Sequence, residues 1–129
     1  MKKKIETILT KRFLTDWRAK ILSIKRYEIY FADLNPTIGS EIKKVRPVVI
    51  ISQDEMNQYL ETVVICPLTS KLHSQWRSRL QINCANKNAE IAVDQIRTIS
   101  KQRLRKKIDR LSQSESAQLR KLITDMYGE

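Results

Sequence analysis

Three short segments of the sequence combine residue types that could bind or cleave a phosphate ester. The first is the connection 35–45, which holds a glycine, a hydroxyl, a carboxylate and two lysines and leads directly into Arg46. Pro47 favours an extended conformation for Arg46. An arginine in this position either pairs with a nearby acid, Glu41 or Asp33, or grips a phosphate with two parallel N–H groups. The residues alone leave both interpretations open.

The other two segments are PLTS (67–70) and the Asp94–Gln95 pair. Thr69 and Ser70 end a strand-like run, where hydroxyl groups commonly bond the nearby backbone and can also meet a ligand. Asp94 and Gln95 interrupt the apolar stretch IAVDQIRTI (91–99), so they need hydrogen-bond partners if they are buried.

Several other kinds of site are excluded by residue counts. The single histidine, His73, cannot form a two-histidine ribonuclease site or a histidine metal cluster within one chain. The two cysteines, Cys66 and Cys84, are too few for a disulfide framework or a complete zinc site. No glycine-rich phosphate-binding motif occurs. We therefore expect no metal and no cofactor, and a nuclease site would consist of arginine, hydroxyl and carboxylate groups.

The elements that would position these residues are mostly strands. Alternation over 27–33 and β-branched runs at 47–52 and 62–68 predict three strands, the second buried on both faces. Weaker patterns predict four more strands, and DEMNQYL predicts a short helix capped by Asp54. The weaker strands are at 78–83, 89–94, 95–100 and about 103–109, and the helix is at 54–60. Short strands separated by turns favour a small antiparallel barrel.

Helices are predicted at both ends of the chain. Apolar residues recur every four positions from about 4 to 22, with a basic opposite face, which predicts an amphipathic helix. Near the C-terminus, Ser112 and Glu115 form a capping-box pattern and an apolar stripe follows at Leu119, Leu122, Ile123 and Met126. Gly128 lies where a left-handed cap would end that helix.

The chain is strongly basic, and the charge is concentrated at its ends. Its 129 residues suit one domain and carry 25 Lys and Arg against 14 Asp and Glu, a net charge of +11. Residues 1–26 hold 9 basic and 2 acidic residues, and 97–129 hold 9 and 4, while the middle is nearly neutral. This pattern favours a nucleic acid or an acidic protein as partner, or serves solubility alone. No apolar run is long enough for a membrane span or a signal peptide, so we expect a cytoplasmic protein.

Four motifs, read together, resemble the MazF/PemK toxins of type II toxin–antitoxin modules: RYEIYFADLNPTIGSE (26–41), VRPVVIIS (45–52), VVICPLTS (63–70) and DQIRTISKQRL (94–104). The resemblance implies an SH3-like antiparallel barrel, mainly β, with a C-terminal helix. It also implies a homodimeric, metal-independent endoribonuclease that cuts single-stranded RNA at specific sequences. An acidic cognate antitoxin would silence it, and the toxin–antitoxin complex would bind DNA.

The resemblance also implies roles for individual residues. Arg46 and Thr69 match the catalytic arginine and threonine of such toxins. Ser40 and Glu41 match the mobile loop, and Ser70, Asp94 and Gln95 match substrate-binding positions. The RNA's own 2′-hydroxyl would be the nucleophile, with Arg46 stabilising the phosphorane and Thr69 bonding a non-bridging oxygen.

The sequence departs from the family in three places. Tyr27 stands where the family commonly has glycine, and IKKV (42–45) makes the loop stiffer and more basic. Residues 1–25 have no counterpart in the typical toxin, so we expect a basic helical extension at 1–25 and the toxin domain at 26–129. Two alternatives remain: a topoisomerase-binding toxin resembling the gyrase poison CcdB, and a non-catalytic nucleic-acid-binding barrel. Neither requires the Arg46 and Thr69 pair.

Overall fold

The structure is a computed structural model, and it describes residues 24–34 and 45–129. The predicted N-terminal helix at 4–22 lies outside these ranges, as do Ser40 and Glu41. The described chain forms seven strands and two α-helices. The strands are β1 (Glu28–Asp33), β2 (Val45–Ile50), β3 (Thr62–Thr69), β4 (Arg79–Cys84), β5 (Lys87–Ala92), β6 (Arg97–Ser100) and β7 (Leu104–Arg110), and the helices are α1 (Asp54–Tyr59) and α2 (Gln113–Tyr127).

The strands form one curled antiparallel sheet in the order β4-β5-β3-β2-β1-β7. The curl arises at β3, which pairs with β2 along one edge and with two strands along the other. On that second edge, Thr62–Ile65 pairs with β6 and Leu68–Thr69 pairs with β5. The sheet is therefore a partly open antiparallel barrel, which confirms the predicted fold class.

The central strands are buried on both faces, as the β-branched run at 47–52 predicted. Val49 and Ile51 join one core cluster, and Val48 and Ile50 join another on the opposite face. Because side chains alternate along a strand, a continuous apolar run suits a strand with two covered faces. The apolar stripe of α2 packs against the first of these clusters.

The ends of the helices agree with the sequence patterns only in part. Ser112 and Glu115 form the predicted capping box, with hydrogen bonds of 3.0 and 2.9 Å. Gly128 has φ −84°, so the predicted left-handed cap is wrong; its N–H instead donates to the Thr124 carbonyl. Helix α1 is confirmed but begins after Gln53, and the Asp54 carboxylate accepts the Arg26 N–H instead of capping the helix.

The predicted strand at 89–94 is displaced by two residues from strand β5, which is Lys87–Ala92. Strand β5 ends at Ala92, and Val93–Gln95 form a 3₁₀ helix, so Asp94 and Gln95 are exposed and do not lie inside a strand. No helix in the described ranges is long and apolar enough to cross a bilayer.

Candidate nucleic-acid interface

A groove of about 450 Å³ lies where β2 begins and β3 ends. The β4–β5 hairpin forms its second wall. Among the described residues, the charged, hydroxyl and amide groups of the groove come from Arg46, Thr69, Ser70, Lys87 and Asn88. The rest of the lining includes the apolar side chains of Phe31, Pro47, Leu68, Ala89 and Ile108. The groove thus combines two cations, two hydroxyls and an amide with an apolar surface that includes an aromatic ring.

Arg46 reaches this groove because of the local sequence. It lies in the second position of β2, opposite Ala32 of β1, and Pro47 follows it opposite Phe31. Its residue surface is exposed, and among the described residues no acid lies within ion-pairing distance of it. Asp33, one of the two acids considered above, pairs instead with Arg105 at 3.5 Å. Within 24–34 and 45–129 the Arg46 guanidinium therefore has no ion-pair partner, while Glu41, the other acid considered, lies outside these ranges.

Thr69 is the last residue of β3, and its hydroxyl bonds the nearby backbone at the edge of the groove. The Oγ1 atom accepts a hydrogen bond from the Lys71 N–H at 3.1 Å. Accepting this bond fixes the side chain and leaves the hydroxyl proton for a second partner. Ser70 follows it and is exposed. Arg46 and Thr69, 23 positions apart in the sequence, thus line one groove.

The second wall consists of residues that the sequence did not single out. Ala85 and Asn86 have φ values of 49° and 65°, so the two central residues of this hairpin are both left-handed. Asp109 of β7 accepts the Ala85 N–H at 2.8 Å, which fixes the turn against the sheet. This bond and one from the Arg110 N–H lower the pKa of Asp109. The hairpin then places Lys87 and Asn88 in the groove.

Cys84 also lines the groove, but its thiol is a poor nucleophile. Burial raises its pKa above the ordinary value, and the negative charges of Asp109 and Glu115 add to the shift. The thiol is therefore protonated near neutral pH. Cys66 is buried in the core, where desolvation and the Asp94 charge raise its pKa to about 12. Both cysteines are free.

Asp94 and Gln95 do not line this groove. The Asp94 carboxylate bonds the Arg79 guanidinium, with Oδ1 2.8 Å from Nε. Desolvation would raise the pKa of Asp94, but hydrogen bonds from Arg79 and Ser78 and the positive charge of Arg79 outweigh it, so the pKa is lowered. Gln95 is exposed at the end of the 3₁₀ helix. Within the described ranges, no three His, Cys, Asp or Glu side chains cluster as metal ligands would.

The partly open barrel and its groove define a small antiparallel β-protein with a cationic, hydroxyl-bearing site suited to a phosphodiester. The chain belongs to the family of PemK-like, MazF-like toxins of type II toxin–antitoxin systems, whose sequence pattern matches residues 25–127. This confirms the family that the four motifs indicated and does not favour the CcdB-like alternative.

Individual relatives agree with this assignment. Endoribonuclease MazF of Staphylococcus epidermidis is 38% identical over 97 residues, covering 71% of this chain and 81% of the relative. Endoribonuclease EndoA of Bacillus subtilis is 37% identical over 93 residues, covering 68% and 80%. A mycobacterial endoribonuclease in complex with its cognate antitoxin has the same fold, with a TM-score of 0.67 and 17% identity over 82% of this chain and 94% of that one.

Proposed function

We propose that this chain is a sequence-specific endoribonuclease toxin that cleaves single-stranded RNA in the groove without a metal ion. The observation that carries the proposal is the meeting of Arg46 and Thr69 in one groove. Two relatives that are more than a third identical are named endoribonucleases. In the proposed reaction, the 2′-hydroxyl of the RNA loses its proton to solvent water as its oxygen bonds the adjacent phosphorus. The bond from phosphorus to the 5′-oxygen breaks, and that oxygen takes a proton from solvent water. The products are a 2′,3′-cyclic phosphate and a 5′-hydroxyl.

Arg46 is proposed to stabilise the negative charge that develops on the phosphorane. Its guanidinium has no described acid partner, so its N–H groups can bind the non-bridging oxygens as a planar pair. We also assign to Arg46 the role of screening the negative charge that develops on the departing 5′-oxygen. Thr69 donates its remaining hydroxyl proton to a non-bridging oxygen, because its oxygen is already held by the Lys71 N–H.

The other groove residues are proposed to bind the RNA on either side of the scissile phosphate. Lys87 supplies a second cation for a neighbouring phosphate, and Ser70 and Asn88 supply hydrogen bonds. Phe31 offers an aromatic surface for a base. Ser40, Glu41 and Gln95 remain proposed substrate-binding residues on the basis of the family motifs.

The proposed protein partners are an acidic antitoxin and a second copy of this chain. The net charge of +11 favours an acidic partner, which would also compete for a groove built for phosphates. The mycobacterial relative was solved with its cognate antitoxin. Homodimerisation is proposed from the family resemblance.

We also propose that the toxin domain begins at residue 24 and that residues 1–23 are an extension not needed for the reaction. Ile24 is only 1% exposed and joins a core cluster. The Lys25 N–H bonds Glu28, and the Arg26 N–H bonds Asp54. These contacts support a boundary slightly before the one expected from the motifs.

The test is incubation of the purified protein with a long single-stranded RNA in EDTA. We expect defined fragments from the wild type and a loss on the order of 10² to 10³ in rate for Arg46→Ala, the range for one preorganised transition-state donor. Thr69→Ala should lose less, because its hydroxyl carries no charge. Arg110→Ala, an exposed arginine outside the groove, is the matched control and should cut normally. An RNA left intact by the wild type would contradict the proposal.

A further inference from the structure

A stacked column of three side chains stands beside the groove, in and just after the connection between β3 and β4. The rings of His73 and Trp76 are stacked, with centroids 3.9 Å apart and planes 10° apart. The Arg79 guanidinium also lies over the Trp76 ring, with Cζ 4.8 Å from its centroid. Trp76 nevertheless remains 49% exposed. The protein therefore presents part of a tryptophan to solvent within a fixed stack.

Two carboxylates, the buried Glu90 and the exposed Asp94, hold this column in place. Both oxygens of Glu90, which is fully buried, accept the His73 N–H, at 3.0 and 2.9 Å. The Arg79 side chain is only 6% exposed, and it contacts Glu90 at 3.7 Å and Asp94 at 2.8 Å. A buried carboxylate needs such partners, because its desolvation is costly. The two acids thus fix both the backbone at His73 and the cation at Arg79.

The register of the sheet places this anchor next to the proposed catalytic threonine. Glu90 of β5 lies directly opposite Thr69 of β3. Side chains directly opposite each other in an antiparallel pair lie on the same face, with Cβ atoms about 4.5 to 5.5 Å apart. The column is therefore attached at the edge of the groove, close to where the scissile phosphate would bind.

The chemistry of the column matches an unpaired nucleobase. Single-stranded RNA is bound by stacking its bases on aromatic rings and arginine planes, with nearby cations meeting the phosphates. The connection 70–78 supplies two exposed cations, Lys71 and Arg77, and contains no acid. We propose that an unpaired base of the RNA flanking the cleaved linkage stacks on the exposed part of Trp76, which His73 and the buried side chain of Arg79 hold in position.

This inference rests on the proposed function, which identifies the ligand as RNA. It also gives Asp94 a role different from the direct RNA contact that the family motif implies. Asp94 acts through Arg79 and does not contact the RNA itself. It is a positioning residue that keeps the guanidinium against the Trp76 ring.

The experiment uses the full chain and a non-cleavable probe, a single-stranded 2′-O-methyl RNA of mixed sequence. The chain has two tryptophans, Trp17 and Trp76, so Trp17→Phe leaves Trp76 as the only indole reporter. We expect the probe to quench Trp76 fluorescence. Trp76→Ala should bind roughly 5- to 150-fold more weakly, the value of one base–aromatic stack. Trp76→Phe should retain most of the affinity, whereas Trp76→Leu should not, because leucine is apolar but cannot stack.

The controls separate this inference from the proposed function. Tyr59→Ala removes an aromatic side chain that is 78% exposed on α1 and should leave binding unchanged. Asp94→Asn should weaken binding and shift the Trp76 emission maximum, a change that loss of a direct RNA contact would not cause. Equal affinity of wild type and Trp76→Ala would overturn the column as an RNA site, even if RNA is still cleaved. Quenching by this probe, together with no cleavage of an unmodified single-stranded RNA in the EDTA assay, would refute the endoribonuclease and leave the column standing.

Discussion

Tyr27 occupies a backbone conformation that favours glycine. Its glycine and alanine variants should therefore differ in stability in a direction that can be predicted. Its φ is 71°, in the left-handed region. The backbone cannot relax easily, because the Tyr27 N–H donates to Ile50 at 2.7 Å and its carbonyl accepts the Leu111 N–H at 2.9 Å. A side chain in this region costs roughly 1 to 2 kcal/mol relative to glycine. The ring, only 9% exposed, offsets that strain through packing and contacts with Arg26 and Arg120.

Two variants separate the strain from the packing. Tyr27→Ala loses the buried ring, at a cost of roughly 3 to 5 kcal/mol typical of large aromatic truncations, and keeps the strain. Tyr27→Gly loses the same ring but removes the strain. Glycine should therefore be more stable than alanine here by about 1 kcal/mol, whereas glycine is less stable by roughly 0.5 to 1 kcal/mol in an ordinary strand.

The measurement is urea unfolding of both variants at one fixed protein concentration. Lys106, exposed in β7, is the matched control position, and its glycine variant should be less stable than its alanine variant. If Tyr27→Gly proves less stable than Tyr27→Ala, the left-handed strain at this position is not what glycine relieves, and the reasoning fails.

Three further outcomes are expected. Lys101 is 2% exposed and donates to the Asn57 carbonyl, and desolvation lowers its pKa although Glu61 opposes the shift. Between the lowered pKa of Lys101 in the native state and the ordinary lysine pKa, the unfolded chain therefore holds a proton that the native state has released. Across that window the free energy of unfolding of the wild type should rise with pH relative to that of Lys101→Met. Urea unfolding from neutral to alkaline pH measures this difference. Ser112→Ala should cost about 1 kcal/mol in the same assay, because it removes the cap of α2. Deleting residues 1–23, which carry seven basic and two acidic residues, should leave the cleavage rate within a few-fold and weaken RNA binding at low salt; an inactive but folded truncation would contradict this.

Much of the fold could be predicted because its signals are local. The alternation in β1 and the β-branched runs of β2 and β3 reflect burial on one or both faces, which each strand records in its own residues. The capping box of α2 likewise involves two residues three positions apart. The cap at Gly128 could not be decided in this way, because a glycine permits a left-handed conformation without requiring it.

The groove could be predicted only for residues that lie in recognisable motifs. Arg46 and Thr69 were identified by the segments around them, and the fold brings them together. Lys87 and Asn88 enter the groove through the register of the β4–β5 hairpin, where Asn83 lies opposite Asn88 and Cys84 opposite Lys87. The four family motifs do not include residues 83–88, so they do not determine how β4 and β5 pair.

Asp94 shows the same limit for a polar residue. Its position in an apolar stretch predicted a need for hydrogen bonds, and the structure supplies them from Arg79, which lies fifteen positions earlier. The partner and the stacked rings beyond it depend on how β4 and β5 pair, since Arg79 lies opposite Ala92. Sequence alone therefore indicated a partner without identifying it.

The central claim, that the groove cleaves RNA through the substrate's own 2′-hydroxyl, is tested most directly by one altered substrate. A short RNA is first cut in EDTA to locate its scissile linkage, and the same RNA is then made with a single 2′-deoxy sugar on the 5′ side of that linkage. We expect the all-ribose RNA to be cut to a 2′,3′-cyclic phosphate and the deoxy-substituted linkage to remain intact. Equal cleavage of the two substrates would show that another nucleophile attacks the phosphorus, and the mechanism proposed for Arg46 and Thr69 would be wrong.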